Sequence, residues 1–220
     1  MTTTANGWHG DLTTDNGVKG ATLPEVFTVG KDTTVDRAAV AVQALLDALG
    51  VDEGDHTART PQRVAKAWKE MLAGYREDPA DHLETTFSAP DNPGLVIVDR
   101  IELQSTCAHH MLPFTGRATV AYRPANGQSI VGLSKMARLV NGFSRRLQVQ
   151  ERIGAQVVDA IMDRLKPEGA MCLITASHDC MRLRGVREPE AETTTEARRG
   201  LLLDHEISLI HLRHLGYAAR

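Results

Sequence analysis

The chain has 220 residues, 42% hydrophobic and 24% charged, the composition of a soluble globular protein with room for one domain and an extension. Aromatic residues make up only 4%, too few for a module that stacks on bases. A net charge of -3 gives no overall field toward nucleic acid or anionic lipid, so any anion site must be local.

The first residues, MTTTANGWHGDLTTDNGVKG, lack the charged start and apolar core of a secretory signal, and residues 1–30 read as a flexible N-terminal tail. Residues 31–90 read as an N-terminal helical arm. Its first helix starts at Thr34, repeats Ala38, Val42, Leu45, Leu46 and Leu49 at three and four, and ends at Gly50. Its second opens at Thr60-Pro61 with the stripe Val64, Trp68, Met71, Leu72, Tyr75. The turn Asp91-Asn92-Pro93-Gly94 opens the main domain, residues 91–220. Strands are expected over Leu95–Gln104 and Arg117–Tyr122. A helix capped by Ser134 follows, with the stripe Met136, Leu139, Val140, Phe143, Leu147, and then one carrying Ile153, Val157, Ile161 and Leu165. Strands at Ala170–Ser177 and around Thr193–Thr195 precede a closing helix from Asp204. No apolar run approaches the ~18 residues of a membrane helix. The order predicts an α+β fold: an antiparallel four-stranded sheet with two helices on one face, its edges open to assembly.

Three cysteines cannot form a disulfide framework. The expected setting is cytoplasmic and reducing, where thiols are free to bind metal. Cys107-Ala108-His109-His110 follows one strand and His178-Asp179-Cys180 another. Cys107, His110 and Cys180 offer two sulfurs and a nitrogen, the three-ligand set of a catalytic zinc site with an open fourth position. The two cysteines stand 73 residues apart, so the fold would have to assemble the site; a pair of buried apolar thiols is the competing reading. His109 and His178 are candidate proton carriers. Ser134, Lys135 and Arg138 near a helix start, Arg182, Arg184 and Arg187 after Cys180, and Arg63 and Lys66 on the second helix could hold a polyphosphate, although solvated surface charge is the commoner explanation. Gln150 and Glu151 could meet a guanine edge, or simply open a helix. Cys172 reads as a core thiol, and His205, His211 and His214 as a solvated helix face.

Cys107-x-His109-His110, PFTGRATVAYRP (113–124), SIVGLSKMARLV (129–140), RRLQVQERI (145–153) and His178-x-Cys180 with Arg184-Gly185-Val186-Arg187 stand in the order of GTP cyclohydrolase I, and TPQRVAKAW (60–68) is similar to that family's N-terminal helix. The resemblance covers about residues 35 to 200. It implies a tunnelling fold whose subunits join sheet edges into a homodecamer of two pentamers, with active sites between subunits. It implies zinc on Cys107, His110 and Cys180, and water activated there to attack C8 of the guanine of GTP. Formate would then leave and 7,8-dihydroneopterin triphosphate form, feeding pteridine or tetrahydrofolate biosynthesis. It further implies that His178 assists at the purine nitrogen beside C8 and His109 toward the ribose. Gln150 and Glu151 would hold guanine, and Ser134, Lys135, Arg138, Arg184, Arg63 and Lys66 the ribose and triphosphate. Neither nucleic acid nor membrane is an expected partner. Ala108 departs from the usual Cys-Glu-His-His run. That leaves two alternatives: a specialised paralogue acting on another guanine nucleotide or stopping at a ring-opened formamidopyrimidine, and a weakly active nucleotide-binding regulatory subunit.

Overall fold

The computed structural model describes residues 33–216, so the tail read over residues 1–30 lies outside the described residues. Two compact units divide between Gln62 and Arg63. The first carries α1 (Thr33–Ala48). Beyond its end Gly50 takes φ +66°, a left-handed conformation that suits a residue without a Cβ. The Val51 N–H then closes onto the Leu46 carbonyl at 3.0 Å. Helix α2 (Thr60–Met71) starts at the expected Thr60-Pro61 and runs across the division.

The second unit follows with two short 3-10 turns, Ala73–Arg76 and Pro79–Leu83, and β1 (Thr86–Ser88). Then come β2 (Val96–Cys107), β3 (Pro113–Arg123) and β4 (Ser129–Val131). Next are α3 (Leu133–Ser144), β5 (Leu147–Gln148) and α4 (Gln150–Leu165). The chain closes with β6 (Gly169–His178), α5 (Asp179–Arg182), β7 (Glu192–Gly200) and α6 (Asp204–His214). Residues 63–90, grouped with the helical arm by sequence, go with this unit: Ala80 and Leu83 sit in its core.

The long strands pair antiparallel in the order β2-β3-β6-β7. Helices α3 and α4 cover one face, where Ile101, Leu103, Val120, Cys172 and Ile174 meet Leu139, Val140, Ile153, Val157 and Ile161. Each such fully buried aliphatic side chain contributes about 1.5–3 kcal/mol.

Several sequence expectations are refined. The sheet has a fifth strand: β5, two residues long, pairs parallel to the end of β2. Leu147, read as the end of a helical stripe, belongs to it; two residues carry no periodicity to betray a strand. Strands β1 and β4 form a separate two-stranded sheet. Ser134 does not cap α3; Gly132 precedes the helix and no side chain caps it. The sheet is also covered on its second face, by α6, where Ala121, Met171 and Leu173 meet Leu202 and Ile210. Consecutive burial along Ala118–Tyr122 and Gly169–Ile174 reflects that double cover. The start of α6 is pinned by Glu206, which accepts from the Leu203 N–H at 2.8 Å and from Arg123 Nη1 at 2.9 Å. His214, read as part of a solvated face, is buried between Thr119 Oγ1 (2.9 Å) and Thr175 Oγ1 (2.7 Å). No helix among the described residues is long and apolar enough to cross a membrane.

Candidate active site

Strand β3 lies antiparallel between β2 and β6, so β2 and β6 run in the same direction and end at the same edge of the sheet. Cys107 is the last residue of β2, His178 the last of β6, and Cys180 stands in α5 just beyond. The sheet therefore brings together residues 73 apart in the chain. The parallel pairing of Cys107 with Gln148, and the Ala108 N–H donating to the Gln148 carbonyl at 2.9 Å, fix the start of α4 at the same place.

The loop after β2 is tight. Cys107 N–H donates to the Leu112 carbonyl and Met111 N–H to the Cys107 carbonyl, both at 2.8 Å. Met111 takes φ +55° to make the turn, a costly conformation for a long side chain. Residues 108–110 are thereby held beneath the end of the strand. Cys107 is buried, Cys180 half-buried and His110 exposed, and their ligand atoms all lie within 4.8 Å of one another. Tetrahedral zinc with bonds of about 2.3 Å to sulfur and about 2.0–2.1 Å to nitrogen would place such atoms about 3.5–3.8 Å apart. The trio needs only a small contraction to close on the ion, and its thiolate–imidazole chemistry suits zinc. His109 Nδ1 is 4.0 Å from Cys107 Sγ, but His109 is not one of the converging three.

The Cys180 thiol is pushed up, first by burial, then by the hydrogen bond and charge of Cys107, while the Arg184 guanidinium pulls it down. Two adjacent thiols resist a second negative charge, and a divalent cation between them removes that resistance. The same interaction places Arg184 within electrostatic reach of the trio.

His178 is held on three sides. Its ring stacks on Phe114, centroids 4.5 Å apart and planes 8° from parallel. Its Nε2 is 2.8 Å from Gln150 Oε1. Burial lowers its pKa, and the Glu151 carboxylate opposes that by raising it, so Glu151 shares the site. Gln150, expected to meet substrate, is only 2% exposed. Its Nε2 faces the Ile174 and Thr193 carbonyls at 2.9 Å each and Thr195 Oγ1 at 3.1 Å. Both ends of its amide are thus engaged within the chain, which puts Gln150 in the wall of the site. Sequence reasoning did not identify Phe114; its alternation with Ala118, Val120 and Tyr122 marks it as inward-facing, but its pairing with His178 shows only in the sheet register.

Ser134 and Arg138 lie exposed on the first turns of α3, with Lys135 half-buried between them, and Arg63 and Lys66 lie exposed on α2. Among the described residues no hydrogen bond or ion pair joins any of the five to the cysteine–histidine cluster. Cys172 is fully buried and its thiol is pushed up to about 12 by burial alone, so it is a core residue as read from sequence.

A family model described as GTP cyclohydrolase I matches residues 38–212. Among curated proteins, the chain is 48% identical over 169 residues to a protein of Desulforamulus reducens named GTP cyclohydrolase 1, covering 76% of this chain and 89% of that one. Proteins of the same name from Mycolicibacterium paratuberculosis (48% over 166 residues, 75% and 81% covered) and Thermobifida fusca (48% over 165 residues, 74% and 79% covered) are similarly close.

Proposed function

The chain belongs to the GTP cyclohydrolase I family and is a hydrolase of that type, and from that premise we propose that it opens the imidazole ring of GTP at C8, releases formate and closes the product to 7,8-dihydroneopterin triphosphate. The observation that carries the reading is the convergence of Cys107, His110 and Cys180 at the common end of β2 and β6, beside His178. These three residues would hold zinc, which when bound supplies Lewis-acid activation of water at neutral pH.

The other roles fall to the chain's own groups. Guanine is an electron-rich ring, and attack at C8 becomes feasible when the neighbouring nitrogen is protonated. His178 serves as that proton carrier and donates from its charged form: burial lowers its pKa, which makes the charged ring a readier proton donor, and the nearby Glu151 carboxylate favours that charged form. Glu151, exposed at the start of α4, accepts from the N–H groups of guanine. His109, exposed in the tight loop beside Cys107, exchanges protons with the ribose after the ring has opened.

Arg184, Lys135 and Arg138 bind the triphosphate, with Ser134 toward the ribose. A guanidinium offers a two-pronged match to phosphate oxygens, and Lys135 adds a point charge near a helix start. Arg63 and Lys66, unconnected to the cluster within one chain, come from a neighbouring subunit of a decamer built by joining sheet edges in a tunnelling fold.

Incubation of the zinc-loaded protein with GTP tests the reading. Formate together with oxidised-pterin fluorescence is the expected result. A product that gains one water without formate would move the assignment to an enzyme that stops at the ring-opened formamidopyrimidine, and no turnover would overturn it.

A further inference from the structure

Gln150 meets His178 with one end of its side-chain amide, and the other end is held by the sheet. The orientation of its amide follows from what surrounds it. Backbone carbonyls only accept, and two of them, from Ile174 and Thr193, lie 2.9 Å from one end of the amide, with Thr195 Oγ1 at 3.1 Å. That end must be the NH2 group, because the oxygen there would face two lone-pair donors at hydrogen-bond distance. The opposite end is therefore Oε1, a pure acceptor, and it lies 2.8 Å from His178 Nε2.

Turning the amide over would break the contacts to both carbonyls and aim an N–H at the ring. Gln150 is 2% exposed, so no water is at hand to compensate, and each stranded group would be buried without a partner. The carbonyls come from β6 and β7, two register steps apart in one ladder, so the anchor is as rigid as the sheet. Phe114 fixes the plane of the imidazole by parallel stacking, and its register partner in the sheet is His178 itself.

We infer that Gln150 is a positioning residue that holds the neutral His178 ring as its Nε2–H tautomer, leaving Nδ1 as the nitrogen that exchanges protons with substrate. The arrangement suits a proton carrier. Nε2–H donates to Gln150 whether or not Nδ1 is protonated, so one proton can be taken up and given back at Nδ1 without rearranging the wall of the site. The catalytic part of this inference rests on the proposed cyclohydrolase reaction; the tautomer does not.

Two readouts separate them. Long-range proton–nitrogen correlation spectra of the metal-loaded protein labelled with 15N-histidine, with His178 assigned by its loss in His178→Gln, should show a pyrrole-type Nε2 and a pyridine-type Nδ1. The reverse pattern in the unsubstituted protein overturns the inference, whatever the enzyme turns over. Gln150→Met keeps length and volume and removes the acceptor. It should abolish the single-tautomer pattern and lower kcat at least roughly tenfold, with KM for GTP within about twofold. A raised KM with kcat preserved would instead make Gln150 a base-binding residue and overturn the positioning role. Thr195→Val, which removes one of three amide anchors and leaves both carbonyls, should keep the wild-type tautomer; a mixed-tautomer pattern there would refute the carbonyl anchoring. Absence of turnover in the unsubstituted protein would fell the reaction assignment and leave the spectroscopic test standing.

Discussion

At the scale of single residues, the site depends on Cys180 more than on the other half-exposed groups. Of the three converging residues it is the one that the second half of the chain supplies, and burial and Cys107 push its thiol up. Serine has a far weaker tendency to ionise and a harder oxygen donor. Cys180→Ser is therefore expected to reduce bound zinc at least tenfold by elemental analysis, with the fold intact by circular dichroism. Full zinc occupancy in that variant would show that the three residues are not the ligand set. The convergence of Cys107, His110 and Cys180 was anticipated from the sequence because thiols and imidazoles standing directly after strands have few other uses where cysteines stay reduced. The job of Gln150 was not legible. An amide beside a carboxylate has the same one-dimensional signature whether it faces a ligand or two backbone carbonyls, and only the sheet register says which.

At the scale of secondary structure, the predicted helices and long strands stand where hydrophobic periodicity put them, and the errors fall on short pieces and on α6. Two- and three-residue strands leave no pattern, and α6 mixes Ile207 and Ile210 with three histidines, so its buried face reads as polar. His214 is what makes that face bury successfully, since both ring nitrogens find threonine hydroxyls on β3 and β6. Its pKa lies below 6.5, through burial first and then the positive charges of Arg117 and His211; His211 itself contacts Glu196 at 3.1 Å. A histidine with a lowered native pKa binds its proton more readily in the unfolded chain. Stability is then fully present above about pH 6.5 and is lost as pH falls below it toward the native value. The melting temperature should fall between pH 7.5 and pH 5.5, and the fall should be shallower in His214→Gln, which keeps polar reach to the two threonines without titrating. Parallel pH profiles for the two proteins would refute the linkage to His214.

At the scale of the whole molecule, the open edges of the sheet carry the argument. Beyond the two-residue pairing with β5 at Thr106 and Cys107, the outer edge of β2 is unpaired among the described residues, and so is that of β7. Long unpaired edges are a liability unless another chain satisfies them. Large apolar side chains are exposed as well: Leu45 on α1, Leu49 just beyond its end, Leu133 at the start of α3, and Leu183 and Val186 in the arginine-bearing loop after Cys180. The open edges were legible from the antiparallel α+β pattern. Which chain completes which site was not, because Arg63 and Lys66 look alike whether they serve their own site or a neighbour's. A complete assembly of the proposed kind has a mass of about ten chains by light scattering, and a monomer would refute it. Shared sites make a sharper demand. Co-expression of Cys180→Ser with the doubly substituted Arg63→Ala, Lys66→Ala chain should restore activity that neither has alone. Random mixing at an interface contributed head-to-tail by two subunits rebuilds roughly a quarter of the sites. Mixed assemblies no more active than their separate parents would place every substrate contact within one chain.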